Sequence, residues 1–206
     1  HDAVRKALDE LEHRGFEVTR LMPDSTGAIP VSAVENALRE DTILVSLMLV
    51  NNETGAVTDI SAISRAIRKR GSQALIHTDA VQAFMKLPFS ARTLGADMIS
   101  VSGHKLHAPK GIGALYIKEG LKIKNFIVGG GQENGRRAGT EAMPQIAAFG
   151  AHNYRIAKES DDSSTYTTVL HLRPEEKVQE IARLLGGINI TETTLKSAKE
   201  LIEASV

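Results

Sequence analysis

Val4, Leu8 and Leu11 recur at helical spacing with charged residues between them, which predicts an amphipathic helix capped by Asp2 and stopped at Gly15. Phe16 to Leu21 alternates like a short strand, and Pro23 to Gly27 carries turn chemistry. Val31, Val34 and Leu38 predict a second helix. Thr42 to Val50 is a nearly continuous apolar run, the pattern of a strand buried on both faces. Asp59 is placed to cap a helix through Ile60, Ile63 and Ile67 to Arg70. Ala74–His77, Met98–Ser102 and Gly113–Ile117 read as three more strands. This alternation predicts an α/β fold with a mainly parallel sheet flanked by helices.

The pattern changes near residue 150. Tyr154–Ile156 and Tyr166–Leu172 flank the polar residues Asp161 to Ser164 and predict a β-hairpin. Pro174 opens a helix carrying Val178, Ile181, Ala182 and Leu185, stopped by Gly186-Gly187. Thr191 caps a last helix with Leu195, Ala198 and Leu201 on one face. The expected organisation is therefore an α/β body over residues 1–143 and a C-terminal tail of hairpin plus two helices over 144–206.

Composition narrows the function. The 206 residues are 42% hydrophobic and 24% charged, a globular balance with enough apolar residues for a real core. Lys+Arg and Asp+Glu are both 25, so no net field favours nucleic acid or an acidic membrane, and direct nucleic-acid binding is unsupported. There is no cysteine, which removes disulfides, thiolate metal sites and a cysteine nucleophile from this chain. No apolar run approaches the roughly 18 residues of a membrane span, and a cytoplasmic location is the expectation. The chain opens at His1 on a helical pattern, as an internal piece of a longer protein would.

Candidate chemistry gathers where strands end. Ser102-Gly103-His104-Lys105 follows one strand, Thr78-Asp79-Ala80-Val81-Gln82 another, and Asn51-Asn52-Glu53-Thr54-Gly55 a third. Ligands of open α/β sheets bind at the carboxyl ends of strands. An amine, an acid and nearby hydroxyl and imidazole donors suit pyridoxal 5'-phosphate (PLP): a lysine bonds its aldehyde, an aspartate keeps its ring nitrogen protonated, and donors hold its phosphate. A metal site from His77, Asp79, His104 and His107 is a weaker alternative resting on a His-x-x-His spacing.

Five stretches carry a resemblance: HDAV at 1–4, VNNETG at 50–55, HTDAVQ at 77–82, SGHKLHAPKGIGALY at 102–116 and GGGQENGRRAGTE at 129–141. In order and separation they resemble the large domain of a PLP-dependent cysteine desulfurase of the class V aminotransferase family, which supplies sulfur from cysteine to iron–sulfur clusters. The resemblance implies that Lys105 is the Schiff-base lysine and Asp79 the partner of the ring nitrogen. It places Gln82 and Asn52 near the ring hydroxyl, His1 stacked on the ring, and Ser102 and His104 on the phosphate. Thr140 resembles a threonine that reaches the phosphate of the neighbouring subunit in the family's homodimer. The family's small domain supplies a cysteine and a substrate-binding arginine, and an upstream segment adds phosphate contacts. With no thiolate, this chain is expected to be catalytically incomplete.

Residues 144–202 are similar instead to the C-terminal end of the DNA-repair ATPase RecN, through PQIAAF, EIARLLGG and TLKSAKELI. That resemblance implies an interaction module without its own nucleotide site, because the Walker motifs are missing and Gly111-Ile112-Gly113 is no phosphate loop.

Overall fold

A computed structural model of the chain describes residues 1–106, 108–150, 154–160, 165–172, 174–186 and 190–203. His1 Nδ1 accepts from the Ala3 backbone N–H at 3.1 Å, so His1 rather than Asp2 caps helix α1 (Asp2–His13). Asp2 lies in the first turn, paired with Arg5 at 2.6 Å, where its charge complements the helix dipole. The segment from Phe16 to Leu21 is not a strand. Among the described residues no neighbouring strand offers it a ladder, and an extended segment without a partner strand forms no ladder of its own.

Helix α2 (Val31–Ala37) leads to strand β1 (Leu44–Met48), helix α3 (Ile60–Lys69) and strand β2 (Leu75–Asp79). Asp59 caps α3 through the Ala62 N–H at 2.8 Å, as its position predicts. A short helix α4 (Ala91–Leu94), strand β3 (Met98–Ser102) and strand β4 (Gly113–Ile117) follow. The sequence reading missed α4, although Ser90 and Thr93 form a reciprocal capping box. Gly95 ends it at φ +65°, and a Cβ there would lie 2.3 Å from Ser64 Oγ, so only glycine fits.

The sheet order is β1-β2-β3-β4. β1 and β2 pair in parallel from Leu44↔Leu75 to Met48↔Asp79, β2 and β3 pair in parallel through Asp79↔Ser100, and β4 returns antiparallel. The sheet is thus mainly parallel and flanked by helices, as expected. β1 is an edge strand, with its first residue Leu44 and the preceding Ile43 exposed, which corrects the reading of Thr42–Val50 as buried on both faces.

Side chains alternate between the two faces. Ile76, Ala80 and Ile99 belong to the core with Ile60, Ile63 and Ile67 of α3, Val34 of α2 and Leu94 of α4. Thr78 points the same way, fully buried, and its Oγ1 has no partner. The alternate positions, Ser46, His77, Asp79 and Ser100, put polar groups on the other face.

The chain divides into two compact units, residues 1–106 with 110–140, and residues 107–109 with 141–206. In the second, helix α5 (Met143–Gly150) precedes an antiparallel hairpin of β5 (Tyr154–Ser160) and β6 (Thr165–His171). The residues expected to form its turn, Asp161 to Ser164, lie outside the described residues. Helices α6 (Pro174–Gly186) and α7 (Glu192–Glu203) pack together, with Ala182 and Ala198 fully buried. Thr191 Oγ1 accepts from the Thr194 N–H at 3.2 Å, the cap read from the sequence. Gly187, half of the proposed stop, also lies outside the described residues.

Candidate cofactor site

After β1 the chain turns through residues 51–55. Asn51 Oδ1 accepts from the N–H groups of Glu53 and Thr54, at 2.9 and 3.0 Å. Asn51 is therefore occupied in closing the turn, and Asn52 is left exposed at its tip. After β2, Asp79 Oδ1 accepts from the Val81 N–H at 2.9 Å, a bond that turns the chain away and leaves the second carboxylate oxygen without a protein partner among the described residues. Gln82 sits in that turn and accepts from Lys86 Nζ at 3.2 Å.

After β3, Gly103–Leu106 forms one turn of 3-10 helix. The Gly103 N–H donates to Ile112 O at 2.9 Å, which ties the turn to the start of β4. Gly113, opposite Ser102, is required there because a Cβ would lie 2.7 Å from Val101 O. Ser102 Oγ lies 2.8 Å from His104 Nδ1, so one donates to the other. Lys105 is exposed and makes no ion pair or hydrogen bond among the described residues.

Asp79 and Ser102 end neighbouring parallel strands whose register is Asp79↔Ser100. Asp79, Gln82, Ser102, His104 and Lys105 consequently share the carboxyl edge of the sheet, with Asn52 beyond the end of β1 on the same edge. His1 and Thr140 are not joined to them by any hydrogen bond. The His1 imidazole caps α1, and Thr140 is exposed at the end of the first unit.

His77, in the middle of β2, links the three strands that lead to this edge. Its Nδ1 lies 2.8 Å from Ser46 Oγ on β1 and its Nε2 lies 2.8 Å from Ser100 Oγ on β3. Burial holds its pKa below the ordinary 6.5, against the opposing pull of Asp79. The available signal was three polar residues interrupting otherwise apolar strands at positions that pairing brings side by side. Both ring nitrogens are thereby engaged by hydroxyls, which disfavours the metal alternative. Among the described residues no cluster of three metal-ligating side chains occurs, and His107 lies outside them.

The model of the family described as aminotransferase class-V matches residues 1–188. The chain belongs to that family. It is 52% identical over 161 residues to the cysteine desulfurase IscS of Serratia proteamaculans (strain 568), an alignment covering 77% of this chain and 39% of that protein. Among solved structures, a NifS-like protein superposes with a TM-score of 0.71 at 40% identity, covering 74% of this chain and 42% of the other. The structure titled SspA in complex with cysteine matches at 0.71 and 32%, covering 87% and 58%. The chain spans 39% and 37% of the length of two curated relatives it matches.

Class-V aminotransferases and cysteine desulfurases are PLP-dependent. The donor set at the carboxyl edge fits that cofactor: an exposed unpaired amine, a carboxylate with one oxygen uncommitted, and a hydroxyl–imidazole pair beside a turn of backbone N–H groups. Among the described residues no helix is long and apolar enough to cross a membrane.

Proposed function

We propose that this chain is the lysine-bearing part of the PLP site of a cysteine desulfurase, acting in the cytoplasm to draw sulfur from cysteine for iron–sulfur clusters. The observation that carries the reading is the placement of Asp79 and the Ser102–Lys105 turn at the ends of adjacent parallel strands in register. When bound, PLP supplies an electron sink for bonds at the substrate's α-carbon.

The chain's own residues divide the work. The Lys105 amine holds the cofactor and is positioned to move a proton at the substrate's α-carbon. Asp79 keeps a proton on the ring nitrogen by opposite charge. The hydrogen-bonded Ser102–His104 pair would hold the phosphate, Asn52 and Gln82 would serve the ring hydroxyl, and His1 would supply an imidazole for the ring face. Thr140 serves the phosphate of a second copy in a homodimer. Phe126 and Val128, 91% and 82% exposed, suit such an apolar contact.

The cofactor-holding portion is taken to end near residue 143. Residues 144–206 are read separately as similar to the end of RecN, on the phrases PQIAAF, EIARLLGG and TLKSAKELI; the class-V match overlaps this segment as far as residue 188. Direct desulfuration is not assigned to this chain by itself, since accepting the sulfur requires a thiolate and the sequence has no cysteine.

Titration with PLP tests the reading. The expected result is a saturable visible absorption band, with no sulfide released on adding cysteine. Absorption no different from PLP mixed with free lysine would overturn the cofactor assignment. Cysteine-dependent sulfide release would overturn the requirement for a thiolate.

A further inference from the structure

We infer that His77 is a positioning residue: bridged to Ser46 and Ser100, it pins the middles of β1 and β3 to the middle of β2 and so fixes where Asp79 and the Lys105 turn stand relative to a bound cofactor. The inference rests on the cofactor reading above and extends it to three side chains that this reading does not use.

The geometry is specific. Ser46, His77 and Met98 are paired laterally, and Met48, Asp79 and Ser100 form the next row toward the carboxyl edge. The imidazole spans both rows, with Ser46 Oγ 2.8 Å from Nδ1 and Ser100 Oγ 2.8 Å from Nε2. Two ring nitrogens are rigidly separated, so two hydrogen bonds to different strands set the lateral offset of β2 against both neighbours. A neutral ring has one N–H and one lone pair. One serine therefore accepts and the other donates.

Displacement here acts at short range. Asp79 is two residues beyond His77 on the same face and strand, and Ser100 is two residues before Ser102, the start of the turn carrying His104 and Lys105. No other bridge of this kind joins these three strands among the described residues. The strand residues neighbouring His77 on its face are Leu44, Ser46, Met48, Leu75, Asp79, Met98 and Ser100, of which Asp79 alone is charged. The ring thus braces the edge without adding a competing ion pair while it stays neutral.

The test uses the full chain in two arms. In the first, without cofactor, the imidazole nitrogen resonances of His77 are recorded for wild type, Ser46→Ala and Ser100→Ala. Each substitution should move the resonance of the nitrogen it faces, and unchanged spectra would remove the bridge. In the second, PLP affinity and the position of its visible band are measured well below each variant's Tm for wild type, the double variant Ser46→Ala with Ser100→Ala, His77→Gln, His77→Leu and Asp79→Asn.

The glutamine amide holds one donor and one acceptor at a separation close to that of the ring nitrogens. His77→Gln should therefore retain the wild-type band. The double variant and His77→Leu each lose both bonds and should bind more weakly by up to about 30-fold, the net worth of two hydrogen bonds, with the band displaced toward that of Asp79→Asn. A lowered Tm with an unmoved band in all bridge variants would show a merely structural role and overturn the inference while leaving the cofactor reading intact. Failure of the wild type to bind PLP would instead overturn the cofactor reading, and the positioning role with it.

Discussion

Two aspartates, one ending β2 and one just before β3, show how differently the two edges of this sheet are used. At the amino edge Asp97, just before β3, is 5% exposed. Its Oδ2 accepts from Arg68 Nη2 at 2.7 Å and from the Ile76 N–H at 2.9 Å, and its Oδ1 accepts from Lys118 Nζ at 3.3 Å. Its backbone is bonded as well, to Ile76 O and from the Lys118 N–H. At the carboxyl edge Asp79 makes a single side-chain bond, to its own turn. The contrast separates a carboxylate consumed by folding from one that folding leaves partly uncommitted, and it is why a buried acid with every oxygen paired is no candidate for chemistry here.

Breaking the closed edge should have the largest effect. Asp97→Ala strands the buried Ile76 N–H and frees two cations, though Arg68 and Lys118 are exposed enough to recover water. A loss of about 2 kcal/mol is expected, between the net worth of one hydrogen bond and the removal of a fully buried ion pair. Urea denaturation measures it, and an unchanged midpoint would show that the cluster is dispensable.

A smaller effect of opposite sign is expected in the core between the edges. Thr78→Val removes a buried hydroxyl that has no partner and keeps the shape. It should stabilise the fold by about 1 kcal/mol, read as a raised Tm, because burying an unbonded hydroxyl is costly. Loss of stability would mean that Thr78 Oγ1 does have a partner.

Asp79→Asn should sharpen the comparison by doing little to stability, within about 0.5 kcal/mol, since the amide oxygen still accepts from Val81. It should nonetheless weaken PLP binding. A stability loss as large as that of Asp97→Ala would erase the distinction between the edges.

The pH dependence contributed by His77 is the subtlest effect. Its folded pKa lies below the unfolded 6.5, so between those two values the unfolded chain binds more protons and stability rises with pH. The contribution is complete above about pH 6.5 and is lost as pH falls toward the folded value. His77→Gln should flatten that part of the stability profile; an unchanged slope would assign it to another group.

Much of this organisation is legible in the amino acids. Met98–Ser102 and Gly113–Ile117 match their strands end to end because each is a short apolar run bounded by turn residues. Asp59 and Thr191 reveal helix starts because capping is local chemistry. Phe16–Leu21 and Thr42–Val50 misled because a strand's existence and its burial depend on neighbours, which alternation within one segment does not encode. The same limit hid the bridge at His77: Ser46 and Ser100 are 31 and 23 residues away, and only strand register joins them. Asp79 and Lys105 stood out because one closes and the other closely follows strands whose carboxyl ends share an edge, whereas His1 was legible as a motif residue and not as the cap of α1.

The most direct test of the central claim is to identify the amine that takes up the cofactor. The full chain is incubated with PLP, reduced with borohydride, digested and mapped by mass spectrometry, beside Lys105→Ala. Selective modification of Lys105, weak but well above every other lysine and absent from the variant, is the result the account predicts. Equal labelling of wild type and Lys105→Ala would contradict it.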